Sequence, residues 1–209
     1  LKNKKIAGTQ SDIGGYSLNY HKHINTGEGG IIVTNNKYFA DRIRLIRNHG
    51  EAVVESMKFK NINNIIGHNF RMGEINASIG SIQLMSLKKF LLIRKKNYKI
   101  LADNLKHFKS FSIIKHLEDK IYQSSYYCFS LILNSKLSKS RKLIIKKLNG
   151  EGLGTSIYYP KPVPLLQYYK KKYNHKDKDF QVSKMISQNS ICLPIGQHLT
   201  NKDIKNIIK

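Results

Sequence analysis

Residues Gly14 to Thr34 read GGYSLNYHKHINTGEGGIIVT, and both the fold and the chemistry of the chain turn on this stretch. It opens on a glycine pair and ends in Gly27-Glu28-Gly29-Gly30, followed by Ile31-Ile32-Val33-Thr34. That apolar β-branched run, bounded by Gly and Asn, predicts a buried strand. Ser17 and Lys22 stand between the two glycine groups. Glycine allows close backbone approach or positive φ, so a hydroxyl and an amine project from a bend. Such a pair suits a ligand that carries both a phosphate and a carbonyl. A lysine in a partly desolvated site lowers its pKa and attacks an aldehyde. On residue type alone, a solvated loop lysine is the commoner reading, because the chain holds 37 Lys+Arg. Spacing has to decide between them.

Outward from this stretch the pattern alternates. Ile6-Ala7-Gly8-Thr9 reads as a short extended piece, and Gly14 to Leu18 as another. From Asn36 to about Asn48, Phe39, Ile43 and Ile46 recur at helical spacing, and Gly50 supplies a stop. Residues 51–69 have no clear period and read as a loop. From Arg71 to about Phe108 there is no proline, and Ile75, Ile79, Ile82, Leu87, Leu91, Leu101 and Leu105 keep a roughly helical period. One long helix, or two with a bend near Ser86 to Phe90, fits. The boundary between two parts is placed there, giving residues 1–86 and 87–209. Tyr126 to Leu133 reads as a strand, Ser138 to Asn149 as a helix with hydroxyl caps before it, and Thr155 to Tyr159 as a second strand. Helices are expected near Gln181 to Ser190 and from Thr200, where Asp203 completes a variant of the capping box. The later part is thus a compact α+β module.

Composition bounds the function classes. The 209 residues are 40% hydrophobic and 24% charged, which excludes a disordered or collagen-like chain. No apolar run approaches the length of a membrane span, and the N-terminus has no signal-peptide core. Cys128 and Cys192 form no CxxC or metal spacing, so neither a metal site nor a disulfide framework is expected, and a reducing cytoplasm is the default compartment. The formal net charge of +24 raises a basic module that binds nucleic acid or an anionic surface. The lysines are spread along the whole chain, however, and accompany many Asn and Ile, as a drift toward A/T-rich codons would produce. No helix-turn-helix, zinc or aromatic RNA-binding pattern accompanies them, and no nucleic-acid partner is expected.

Several ordered blocks together resemble the DegT/DnrJ/EryC1/StrS family of pyridoxal-phosphate-dependent sugar aminotransferases. The family's active-site pattern is a Ser, a Lys five positions on, four intervening residues and GEGG. Ser17, Lys22 and Gly27-Glu28-Gly29-Gly30 occupy those positions without a gap. Asn35 to Gly50 resembles the helix that follows, with its "RNHG" ending. Gly67-His68-Asn69-Phe70-Arg71-Met72, with Glu74, Ala77, Gly80 and Gln83-Leu84, resembles the next block. Gly152 to Tyr159, Pro160 to Tyr169 and Cys192 to Asp203 resemble small-domain motifs.

The resemblance implies an α/β fold of the type I, aspartate-aminotransferase-like class, with an incomplete large domain and an α+β small C-terminal domain. It implies pyridoxal 5′-phosphate as cofactor and Lys22 as the residue that holds it through a Schiff base and then moves a proton as base and acid. Ser17 is implied to bond the phosphate, and Asn69 to reach the phosphate from a neighbouring subunit, hence a homodimer with shared sites. Arg71 and Tyr159 are implied substrate contacts; for Arg71 a buried structural salt bridge is an equal reading. Glu28 reads as a loop-shaping residue. The implied substrates are a nucleotide-linked keto sugar and an amino donor, usually glutamate, in polysaccharide, lipopolysaccharide or secondary-metabolite biosynthesis. Some family members carry His at the lysine position and remove a sugar hydroxyl instead. Counting back from Gly27 places Lys22, not His21 or His23, in register, which favours transamination.

The sequence departs from the pattern twice. Tyr158 and Pro164 replace the two histidines of the family's H-Y-x-P-L-H segment, and proline also removes a backbone donor. Family members also run to nearly twice this length, and the acid expected to pair with the pyridine nitrogen falls upstream of the segment matching Leu1 to Thr9. Leu1 is not Met, so the chain is expected to start within a longer one. By itself it is expected to be inactive or nearly so, and to expose a large apolar face; a non-functional truncated remnant is the alternative.

Overall fold

A computed structural model describes residues 5–51 and 65–209. The chain forms two compact units, Leu1–Phe90 with Leu117–Ser124, and Leu91–His116 with Ser125–Lys209.

In the first unit, β1 (Gly14–Ser17) and β2 (Gly30–Val33) pair antiparallel, with Gly14 opposite Val33 and Ser17 opposite Gly30. The helix α1 (Lys37–Arg47) follows, and its Asn36 N-cap accepts the N–H groups of Tyr38 and Phe39. Asp41 bridges Lys37 and Arg44 on its exposed side. α2 (Glu74–Met85) and α3 (Leu87–Leu105) are two helices separated at Ser86, which settles the choice between one long helix and two. Most of the 51–69 loop lies outside the described residues.

Two expectations fail in this unit. Ile6 to Thr9 is a turn closed by the Thr9 N–H on the Ile6 carbonyl, because Gly8 at φ 92° reverses the chain. The run after Gly29 is a strand but not a buried one: Ile31 is 46% and Ile32 57% exposed. Among the described residues β1 is the sheet partner of β2 in a two-stranded sheet, which lacks the layers on both faces that cover a buried strand. Ile75, Ile79 and Ile82 of α2 are exposed as well.

The second unit holds the core. β3 (Phe111–Ile113), β4 (Phe129–Leu133) and β5 (Ser190–Leu193) form an antiparallel sheet in the order β3-β4-β5. Phe129, Leu131 and Leu133 of β4 meet Ile191 and Leu193 of β5, Leu101 and Leu105 of α3, and Ile204. Burial of this kind contributes roughly 1.5–3 kcal/mol per large apolar side chain. Around the sheet lie α4 (Ser135–Ser138), α5 (Arg141–Gly150), α6 (Gln167–Tyr173), α7 (Gln181–Asn189) and α8 (Asn201–Ile208).

The strand expected over Tyr126 to Leu133 begins only at Phe129. Tyr126 has φ 50°, and the Tyr126 and Tyr127 carbonyls accept from the Arg94 guanidinium instead of a neighbouring strand. Thr155 to Tyr159 supplies a single bridge, Ser156 to Cys192, rather than a strand. The helix expected over Ser138 to Asn149 is α5, which begins at Arg141; Ser140 stands at its N-cap but its hydroxyl makes no cap bond, whereas Asn134 caps α4 by accepting the Leu137 N–H. At α8 the capping box forms in full: the Thr200 hydroxyl accepts the Asp203 N–H, and the Asp203 carboxylate accepts the Thr200 N–H at 2.8 Å.

Two outcomes follow. Phe129 is fully buried, so Phe129→Ala should lower unfolding free energy by about 3–5 kcal/mol in urea titrations. The Thr200 N–H, and then its hydroxyl, hold the Asp203 carboxyl below the ordinary carboxylate range. A depressed folded pKa stabilises above the unfolded value of roughly 4 and is lost as pH falls through the folded one. Asp203→Asn should therefore lower Tm near neutral pH, and the gap to the unsubstituted protein should close below pH 4. A gap that stayed constant would contradict this.

Candidate active site

The loop between β1 and β2 carries Ser17 at its start and Lys22 at its first bend. Its neck is closed by the Leu18 N–H on the Gly29 carbonyl and the Thr26 N–H on the Leu18 carbonyl, both at 2.9 Å. Asn19 then organises the bend. Its N–H donates to Ser17 Oγ at 3.3 Å, its carbonyl accepts the Lys22 N–H at 2.8 Å, and its side-chain oxygen accepts the His21 N–H at 3.2 Å. Its amide nitrogen donates to Glu28 Oε1 at 2.7 Å. Glu28 thus ties the two limbs of the loop together, a shaping role. The glycines around it have different reasons: Gly27 (φ 82°) faces open space, whereas at Gly29 (φ 151°) a Cβ would stand 2.6 Å from Met72 Cε and 2.8 Å from Thr26 Oγ1.

One face of α2 supports the far limb. Asn76, Gly80 and Gln83 fall at i, i+4 and i+7. Asn76 donates to the Thr26 carbonyl at 2.6 Å, and the Gln83 amide makes two bonds with the Asn25 backbone, donating at 2.7 Å and accepting at 3.1 Å. Gly80 leaves room for Thr26, whose methyl lies 3.0 Å from where a Cβ would be. Thr26 is 3% exposed. Sequence reading assigned no role to Asn19, Thr26, Asn76 or Gln83. The one signal was the shared helical face of 76, 80 and 83, and it identifies a face without naming its target.

Asn69 and Arg71 sit on a second segment, which pairs with the end of α1. The His68 N–H donates to the Ile46 carbonyl, the His49 N–H to the His68 carbonyl and the Phe70 N–H to the Arg47 carbonyl, with Asn48 opposite Asn69. Gly50 and Gly67 permit this approach: a Cβ on Gly67 would lie 2.0 Å from the Gly50 nitrogen. The "RNHG" and "GHNFR" blocks are therefore two halves of one structural joint. Asn69 and Arg71 are both exposed, and Arg71 Nη1 donates to the Asn48 side-chain oxygen at 2.7 Å. That overturns the buried-salt-bridge reading of Arg71: its observed partner is a neutral amide. Ser17 and Lys22 thus share one loop, and Asn69 and Arg71 share another segment. Tyr159, 61% exposed, belongs to the second unit.

Comparison with known proteins gives a consistent set. Residues 1–209 match the profile of the DegT/DnrJ/EryC1/StrS aminotransferase family. A UDP-4-amino-4,6-dideoxy-N-acetyl-beta-L-altrosamine transaminase of Helicobacter pylori is 27% identical over 99% of this chain and 53% of its own. A GDP-4-keto-6-deoxy-D-mannose 3-dehydratase of Escherichia coli O55:H7 is 30% identical over 72% of this chain and 41% of its own. The solved structure of Helicobacter pylori PseC, an aminotransferase involved in the biosynthesis of pseudoaminic acid, superimposes with TM-score 0.85 and 26% identity over 98% of this chain and 53% of that one. The chain spans about half the length of the curated relatives it matches.

The two glycines of the turn can be ranked. Gly27→Ala adds only left-handed backbone strain, about 1 kcal/mol, whereas Gly29→Ala adds overlap with Met72 and Thr26 and should cost about 1–3 kcal/mol more. Equal losses of stability in thermal unfolding would contradict the crowding argument at Gly29.

Proposed function

Because the chain belongs to the DegT/DnrJ/EryC1/StrS aminotransferase family, we propose that the protein transfers an amino group to the keto carbon of a nucleotide-linked sugar. The cofactor is pyridoxal 5′-phosphate, the donor glutamate, and the assembly a homodimer with shared sites in the cytoplasm, working in polysaccharide or related biosynthesis. The observation that supports this most is the pairing of Ser17 and Lys22 on one closed loop, in register with a GEGG turn that Glu28 and Asn19 lock.

The residues fit the cofactor by their chemistry. Lys22 offers a primary amine on a half-buried, backbone-anchored bend, and Ser17 an exposed hydroxyl at a strand end. Ser17 Oγ already accepts from Asn19, which leaves its hydrogen to donate to a phosphate oxygen. Asn69 presents an exposed amide and is assigned to the phosphate in the second copy's site. When bound, the cofactor supplies an electrophilic aldehyde and an electron sink for the carbon that loses its proton.

The chain's own part is positioning and proton transfer. Lys22 Nζ would hold the cofactor at its aldehyde carbon, and as a free amine it would take a proton from the donor's α-carbon and return one to the sugar carbon. A histidine in its place has no such amine, and Lys22 is what favours transamination over the dehydration named for the Escherichia coli relative. Arg71, oriented by Asn48, is assigned to an anionic group of donor or sugar. Tyr159 is assigned to the sugar, next to the segment where Tyr158 and Pro164 alter the family's pattern.

The test supplies the protein with pyridoxal phosphate and the half of the large domain that its relatives carry ahead of this region. It is then reduced with borohydride and mapped by mass spectrometry. A pyridoxyl group on Lys22, absent in Lys22→Ala, is expected, together with an amination rate at least about 10²-fold lower in that variant. An adduct on another lysine, or turnover unaffected by Lys22→Ala, would overturn the proposal.

A further inference from the structure

The two cysteines, without a role in the chemistry above, flank Ser130 on the sheet of the second unit. β4 and β5 pair with Ser130 opposite Cys192. The Cys192 N–H and carbonyl both bond Ser156 on the other side. Ser130 and Cys192 are therefore a non-hydrogen-bonded pair, the kind that holds facing side chains closest. Cys128 precedes Ser130 by two residues and shares its face. Cys128 Sγ lies 3.3 Å from Ser130 Oγ, and Ser130 Oγ lies 3.2 Å from Cys192 Sγ. The exposure of the two thiols differs: Cys128 is half-buried, and Cys192 is buried.

The surroundings polarise the pair in one direction. Arg94, 8% exposed, donates to the Tyr126 and Tyr127 carbonyls immediately before Cys128. His116 Nε2 lies 3.2 Å from the Cys128 carbonyl. The nearby Cys192 thiol, then the hydrogen bond with Ser130 and the charges of His116 and Arg94, hold the Cys128 thiol below its ordinary value against the opposing effect of burial. The same partnership and burial push Cys192 up. The more exposed thiol, Cys128, beside Arg94 and His116, is thus the better placed nucleophile, with Ser130 between it and the buried Cys192.

We propose that Cys128 is a modification site, a thiol that a hydroperoxide oxidises and that Cys192 resolves as an intramolecular disulfide. The Cys128 thiolate attacks the terminal peroxide oxygen; the O–O bond breaks, leaving a sulfenic acid on Cys128 and an alkoxide or hydroxide that takes up a proton. Cys192 sulfur then attacks Cys128 sulfur, the S–O bond breaks, and water leaves with the Cys192 proton. Two thiols are oxidised by two electrons in total, and the peroxide is reduced by the same two.

The experiment treats the full chain with hydrogen peroxide and maps unreduced peptides by mass spectrometry. A Cys128–Cys192 linked peptide, reversed by dithiothreitol, is expected. In Cys192→Ser, the sulfenic-acid probe dimedone should label Cys128. In Cys128→Ser, Cys192 should label at least about tenfold more slowly. Iodoacetamide at neutral pH on the unsubstituted chain, which needs no variant, should alkylate Cys128 about tenfold faster than Cys192. Cross-links only between chains, faster labelling of Cys192, or two thiols left unreacted would overturn the assignment.

Discussion

A single residue, Asn19, fixes the backbone from which the Lys22 amine projects. The pairing of Ser17 with Gly30 closes the strands, but it leaves the loop beyond them free to take many shapes. Asn19 removes that freedom by bonding Glu28 across the loop, His21 and Lys22 along it, and Ser17 behind it. A buried or half-buried bend would otherwise carry unmet N–H and carbonyl groups, each costing about 1–3 kcal/mol. Satisfying them locally fixes the backbone on which the lysine and the serine stand. Preorganisation of this kind is what allows a flexible side chain to act from one position.

The second support comes from α2, and it explains why the GEGG turn needs small residues on more than one side. Gln83 and Asn76 hold the backbone of Asn25 and Thr26, and Thr26 Oγ1 in turn donates to the Glu28 carbonyl at 2.8 Å. The helix and the turn are therefore one hydrogen-bonded assembly, and a Cβ at Gly29 or Gly80 intrudes into it. The exposed apolar residues of the same unit, Ile31, Ile32, Ile75 and Ile82, lie outside that assembly. Polar bonds order this region, whereas apolar burial orders the second unit around Phe129 and Leu101.

That division also explains what the sequence made legible. Helices with strong apolar periodicity, such as α1, α7 and α8, read correctly to within a few residues, because the period is a local signal, to which Asn36 and Thr200 add a cap at α1 and α8. β2 read correctly as a strand and wrongly as buried, since a β-branched run reports pairing propensity, while burial depends on what packs over it. Tyr126 to Cys128 looked like strand because the left-handed turn at Tyr126 and the claim of Arg94 on two carbonyls are set by partners far along the chain. β3 was missed for its three residues, and β5 because Cys192-Leu193-Pro194 was read as a motif and not as a strand. At the site, Ser17, Lys22 and Glu28 were legible from spacing. Asn19, Asn76 and Gln83 were not: Asn19 acts through bonds inside an irregular loop, and the helical face of Asn76 and Gln83 does not name partners 50 and 58 residues away.

The charge of +24 bears on the same site in a way that needs no nucleic acid. A strongly basic protein raises the local concentration of anions over a distance of roughly 8 Å at physiological salt, and the effect is indifferent to what carries the negative charge. A cofactor phosphate and a nucleotide diphosphate are both such anions. Spread lysines thus favour encounter, but they cannot select a site, since each is as positive as the next. On the proposed function, selection falls to groups with fixed geometry: a hydroxyl held at a strand end, a backbone-anchored amine, an exposed amide on a second segment. On the same reading, the field would bring the ligand to the surface, and the hydrogen bonds around Asn19 would set which of many amines it meets in a defined orientation.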